Sequence, residues 1–455
     1  YKETTMKLDK INLNKQNNNP SFKSTNPFIS NTLSGGAKLA DLFIRSQENL
    51  SSTRFIQDTA TNWLPKAIFS RSKADFAEMS FLEFLESGIF YFASPILGEK
   101  LFRNVIFKNF QPKNLKSAIN EQIPKSLKEI TTNPNLSKAI KNNAIASKAG
   151  IILACTAIPV AEYTLSFAKN LFTLKAFKKS NFNNIANLDK GKAEKEDKKQ
   201  QQQVEKSAKS HLKKAAVLSL AGVAAGSILA LKGAKSDKLI SLSKAIIEPG
   251  QALSKGISKL GIKNEKLNNT LSKFSLDFSN NNGKLALGKG QLALTAILGL
   301  FGYSKAASDR GKLDVAEVWT RVPLVVFYTI FGSELFEKGF INILNKLGKC
   351  KDLIKKDAKG NISIPKRTQL PEIAQKLAKQ NKTLPENELN KLVKQKAFTT
   401  GVPYAFSLLF MGFTLSAITR LWTQYRYNKQ NKETKNDTLI FLGKNLPEAF
   451  KSFSK

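Results

Sequence analysis

Apolar residues recur at spacings of three and four along almost the whole chain, and sustained alternation is confined to the short "GNISIP" at residues 360–365. That period puts apolar side chains on one stripe of a helix, so the pattern predicts an all-α protein. Charge-free runs then separate ordinary helices from those able to cross a bilayer, which takes about 20 predominantly apolar residues. The run Ala397–Thr419 has 23 and qualifies outright. Ala215–Leu231 has 17, with Gly222 and Gly226 at the GxxxG spacing that lets helices approach closely. Ser87–Gly98, Ala149–Ala161, Gly290–Ser304 and Val322–Ser333 are shorter, at 12, 13, 15 and 12 residues. They lengthen only where a carboxylate enters the apolar zone.

The pattern also repeats. "RSKADFAEM" (Arg71 to Met79) returns as "RGKLDVAEV" (Arg310 to Val318). "EKLFRNVI" (Glu99 to Ile106) returns as "EKGFINIL" (Glu337 to Leu344), and "YTLSFAKNLFT" (Tyr163 to Thr173) as "FTLSAITRLWT" (Phe413 to Thr423). The offsets are 239, 238 and 250, so the matches are collinear with one insertion in the second copy. This order predicts an internal duplication, with unit A at residues 55–175 and unit B at 294–425. The connector 176–293 holds a basic linker, the apolar helix 215–231 and an amphipathic stretch 236–280 that packs on the protein or lies in a bilayer interface. Residues 1–37 and 426–455 read as polar tails, the first of them disordered. The first 37 residues hold no apolar h-region, so no cleaved signal peptide of the usual kind is expected.

Composition changes the picture in two ways. Lys and Arg number 72 against 35 Asp and Glu, a net charge of +37, and only nine of the basic residues are Arg. Such a Lys-dominated excess reflects either compositional bias or anionic partners. The Lys-rich runs lack the interleaved aromatics and arginines of nucleic-acid readers, so no specific nucleic acid is expected. The basic loops 107–148, 169–214, 232–289 and 345–396 are all positive, so charge asymmetry gives no orientation. His211 is the one histidine, placed by its charged surroundings on a solvated surface. Cys155 and Cys350 have no metal-ligand or disulfide spacing. Triad, zinc and histidine acid–base chemistry therefore find little support, and neither a cofactor nor a catalytic residue is expected.

The candidate chemistry sits in the repeats. Glu162, Glu99, Glu334 and Glu337 border or enter apolar helices, where carboxylates mark ion or substrate paths or pair with a cation. Glu162 has no cation near in sequence except Lys169, two turns away. Within each nonapeptide, Asp75 and Glu78, like Asp314 and Glu317, have the spacing of a helix capping box. Arg71, Lys73, Arg310 and Lys312 then remain as contacts for anionic lipid headgroups. These features point to an integral membrane protein, non-enzymatic, acting in transport or membrane scaffolding through two helical units. The alternative is a peripheral or singly anchored helical protein whose basic faces bind anionic lipid or a partner protein. An enzyme using Glu162 in carboxylate chemistry on lipid is the third reading.

Overall fold

The computed structural model describes residues 33–48, 52–190, 195–261, 264–281, 283–328, 332–356 and 362–445. Nearly all of them are helical. The body is built from α1 (Gly35–Glu48), α2 (Ser52–Ile68), α3 (Lys73–Gly88), α4 (Lys138–Ala154) and α5 (Ala157–Phe177). It continues with α6 (Lys198–Lys232), α7 (Lys289–Ser308), α8 (Lys312–Phe327), α9 (Ser333–Lys346), α10 (Pro385–Ser407) and α11 (Leu415–Asn445). Two stretches are wound as wide π-helix: Ile89–Ile106, which prolongs α3, and Leu408–Thr414, which joins α10 to α11. Pro95, which has no N–H to donate, lies inside the first. The alternating "GNISIP" supplies Ile362–Ser363, which pairs antiparallel with Lys355–Lys356.

Packing places α5 at the centre. On one side α6 crosses α4 and α5; on another, α7 runs along α5; α3 lies against it as well. Small residues set these distances. A Cβ on Gly226 would overlap the Gly150 carbonyl, and one on Gly150 would come within 2.6 Å of the Gly226 carbonyl. Gly222 is equally close to Thr156, and Gly302 of α7 to the Tyr163 carbonyl. The GxxxG spacing in α6 thus marks a backbone contact. On the far side, α1 packs on α10, α2 on the π-wound stretch 408–414, and α8 on α11.

Three helical stretches are long and apolar enough to cross a membrane by length and composition: Lys138–Phe177, Lys198–Lys235 and Pro385–Glu433. In the first, 78% of the apolar window is buried inside the protein, against 17% in each of the others. The outer helices therefore present apolar side chains outward, among them Val217, Leu220 and Ile228 on α6 and Ile418, Leu421 and Trp422 on α11. Exposed apolar patches of this extent are uncommon on soluble monomers.

Several expectations change. The linker within 176–214 becomes helix from Lys198 onward, and the tail from 426 is the continuation of α11 as far as Asn445. The N-terminal tail gives way to α1 at Gly35, while residues 1–32 and 446–455 lie outside the described residues. In the amphipathic stretch, helix Asp237–Ile247 buries Ile240 and Ile247 and packs on α4, the protein's own core. His211 is not on an open surface. Its ring stacks on Phe167 at 4.1 Å and its Nδ1 is 2.9 Å from the Tyr163 hydroxyl.

Because the α4–α6 crossing has no room for a side chain, Gly226→Leu should destabilise the fold by about 1–3 kcal/mol or more. Gly256→Leu, at a helical position with nothing within 4 Å of an added Cβ, should not lower the thermal transition.

Candidate functional site

The repeated nonapeptides meet in space. Arg71, just ahead of α3, donates from Nη1 and Nη2 to Glu317 Oε2 and Oε1 of α8 at 3.0 and 3.1 Å. In return Arg310, just ahead of α8, donates from Nη1 to Glu78 Oε1 of α3 at 2.8 Å. Each arginine also stands by the aspartate four residues on: Arg71 Nε is 3.3 Å from Asp75 Oδ2 and Arg310 Nε is 3.1 Å from Asp314 Oδ2. The second of these pairs is out of line for a hydrogen bond.

Two further cations complete the cluster. Arg420 of α11 donates to Asp75 Oδ2 at 2.9 Å, and Lys169 of α5 lies 3.4 Å from Glu78 Oε2. Arg71, Arg310, Arg420 and Lys169 thus face Asp75, Glu78, Asp314 and Glu317, and the cluster is neutral. In the alignment of the two late segments, Asn170 stands where Arg420 does. Asn170 accepts from Arg310 at 2.8 Å and donates to the Ala306 carbonyl, so Asp314 has no second arginine to match Arg420.

Across this end lies a short turn of helix, Phe182–Ile185. The Phe182 ring contacts both guanidinium groups, with centroid distances of 5.5 Å to Arg71 and 5.7 Å to Arg310. Backbone bonds hold it there: Phe182 N–H donates to the Arg310 carbonyl, Ser72 Oγ to the Ile185 carbonyl and Gln424 to the Leu188 carbonyl.

The capping-box reading of the nonapeptides is overturned. Ser72 caps α3, its Oγ accepting from the Asp75 N–H at 3.1 Å, and α8 starts at Gly311 with no side-chain cap. The carboxylates are engaged by arginines instead. The headgroup reading changes too, since Arg310 is 2% exposed and Arg71 faces Glu317 within the protein. Lys73 and Lys312 are exposed, and Lys312 borders a groove with Arg426 and Lys429.

Electrostatics follow from the pairing. Burial pushes the Asp75 carboxyl up, but Arg71 and Arg420 together outweigh it and hold the group below its ordinary value. Glu78 is likewise pushed up by burial and brought below its ordinary value by Arg310 and Lys169. Asp314 goes the other way: burial raises it and Arg310 does not fully compensate.

Beyond the cluster, successive turns of α3 and α8 open onto a cavity of about 620 Å³. Glu83 and Glu86 of α3, Arg321 of α8, Lys66 of α2 and Tyr303 of α7 line it, with Tyr404 and neighbouring residues of α10 on the far wall. Lys66 donates to Glu83 Oε1, and Arg321 Nη2 lies 3.6 Å from the same oxygen. Glu162 stands behind this wall, 3% exposed. Its Oε1 accepts the Tyr303 hydroxyl at 3.0 Å, and its Oε2 has no hydrogen-bond partner.

The remaining acidic candidates lie apart from that centre. Glu99 pairs with Arg103 at 2.8 Å and accepts from the Leu285 N–H at 3.0 Å, which ties the π-wound helix to a two-stranded ribbon. Glu337 is exposed at the rim of the cavity. Glu334 falls in α9, and its side chain lies outside the described residues. Sequence reasoning missed Phe182, Tyr303 and Lys66 as parts of the site. The spacings of three, five and three between Asp75, Glu78, Glu83 and Glu86 keep them within one broad helix face, a readable signal for the carboxylates. Phe182 offered none.

Removing one partner of a buried ion pair costs about 3–5 kcal/mol. Arg71→Glu and Glu317→Arg should each lower thermal stability by such an amount, and the double exchange should recover at least half of it. Acid should act through the same groups. Asp75 and Glu78 titrate below their unfolded values, so their stabilisation is complete at neutral pH and is lost as pH falls through the lowered folded values. Unfolding curves at pH 7 and pH 3 should therefore differ more for the native chain than for Asp75→Asn/Glu78→Gln. No family model, curated protein or solved structure matches this chain.

Proposed function

We propose that the chain is an integral membrane protein of two helical units built on one plan, which passes a solute through the central cavity. The observation that carries this reading is a charge-lined cavity of about 620 Å³ inside a bundle whose outer helices expose apolar side chains. A polar interior within an apolar exterior suits a bilayer and a water-soluble cargo. Trp422 and Tyr425 stand exposed near Arg420, as aromatic residues do at the interface. On this reading the ion-paired end lies at headgroup level, with Lys73 and Lys312 available to anionic lipid.

The duplication finds support in how the helices are exchanged. α2 leads into the first nonapeptide and packs on 408–414 of unit B, whereas α7 leads into the second and packs on α5 of unit A. The helices ahead of them follow suit, α1 on α10 near Gly401 and α6 on α4 at Gly150. Each unit thus lays its leading helix on a closing helix of the other, the helix ahead of each unit does likewise, and the Arg71–Glu317 and Arg310–Glu78 pairs are the same exchange in miniature. Two units joined this way form a gate: parting them at this end opens the cavity, and the ion pairs oppose it.

Solvent access tests the reading. With Cys155 and Cys350 replaced, Ser87→Cys and Thr400→Cys in sealed vesicles should react with a membrane-impermeant maleimide from one side. Weakening the gate by Arg71→Ala/Glu317→Ala should raise labelling from the other side, about tenfold for each 1.4 kcal/mol removed from the closed state. Release of the protein by alkaline carbonate would favour the peripheral alternative.

A further inference from the structure

The cavity wall carries one carboxylate more than it has cations. Apart from the ion-paired cluster, Glu83, Glu86 and, at the rim, Glu337 face two cations, Lys66 and Arg321, both of which reach Glu83. Glu162 stands outside that count. Its bonded contact is the neutral Tyr303 hydroxyl, and Lys169 is engaged by Glu78. Gly299 of α7 holds it in place, since an added Cβ there would lie 3.0 Å from Glu162 Cγ. A buried carboxylate with an unbonded oxygen is costly unless a proton or a cation meets it.

The surroundings distinguish among cations. A bare metal ion takes several close oxygen ligands, and among the described residues no group of three His, Cys, Asp or Glu is placed to hold one. The volume instead matches pockets for organic ligands of a few hundred Å³. Phe90, Tyr91, Tyr328 and Tyr404 also line it, and aromatic faces attract ammonium and related cations.

We propose that the cavity binds an organic cation, its charge held between Glu86 and the Tyr303–Glu162 pair and its apolar part against the aromatic wall. This rests on the transport reading and names its substrate class. The charged groups facing the site are Glu83 and Glu86 from α3, Lys66 from α2, Arg321 from α8 and Glu337 from α9 at the rim, with Lys169 on the same helix as Glu162. A cation entering beside Glu162 offsets part of this excess of carboxylate.

Calorimetric titration of the purified full chain in detergent tests it, with tetraphenylphosphonium and benzyltrimethylammonium as probes and sodium and potassium in parallel. At least one organic cation should bind, and Glu162→Gln should weaken it at least tenfold while Glu162→Asp retains part of the affinity. Glu372→Gln, on an exposed helix away from the cavity, should bind as the native chain does. Unchanged elution and thermal transition show that a loss in Glu162→Gln is not unfolding. Failure of both organic cations to bind, equal binding by Glu162→Gln, or Glu162-dependent binding of sodium or potassium alone overturns the proposal. Cysteine labelling reads the opening of the cavity without any ligand, so failure of the transport reading would show there separately.

Discussion

The exchange of arginines between Arg71–Glu317 and Arg310–Glu78 is the constraint on which the rest of the arrangement depends. Each guanidinium stands just ahead of one helix and donates to a carboxylate on the other, so the starts of α3 and α8 are tied to each other. Four cations and four carboxylates balance there, and Phe182 covers both arginines with an aromatic face that also keeps water away. A neutral, enclosed cluster of this kind adds little net stability relative to apolar packing. Losing any one member, however, leaves a buried charge without its counterpart. It therefore fixes geometry more than it adds strength.

From that end the faces of both helices that carry the ion pairs continue as walls of the cavity. Opposite them, α5 can contribute polar groups only because glycines allow α6 and α7 to close over it. Gly150 and Gly226 bring α4 and α6 to backbone contact, Gly302 does the same for α7 against α5, and Gly299 leaves room for the Glu162 side chain. Glu162, Ser166 and Asn170 then fall four residues apart on one face of α5. The first reaches Tyr303, the second borders the cavity and the third bonds Arg310.

The two halves of the cluster are not equivalent. Asp75 has Arg71 and Arg420, whereas Asp314 has Arg310 and faces an asparagine where the other side has arginine. The carboxyl of Asp314 is accordingly the less well compensated of the two. Under the proposed gating, such an inequality makes one half of the lock weaker than the other and gives the opening a preferred path.

The sequence by itself determined the helical class, the close approach at Gly222 and Gly226, and that Glu162 has no cation near in sequence except Lys169. These follow from local facts: a 3.6-residue period, residue size and charge spacing along one strand of chain. It also contained the two nonapeptides, yet their local chemistry suggested capping boxes and headgroup contacts. Only the tertiary structure decided otherwise, because an ion pair between Arg71 and Glu317 spans 246 residues and no local pattern specifies which distant carboxylate an arginine will meet. The same holds for Phe182, an ordinary residue in a polar turn until folding lays it against two guanidinium groups, and for the cavity, which exists only in the space that several separate helices leave between them.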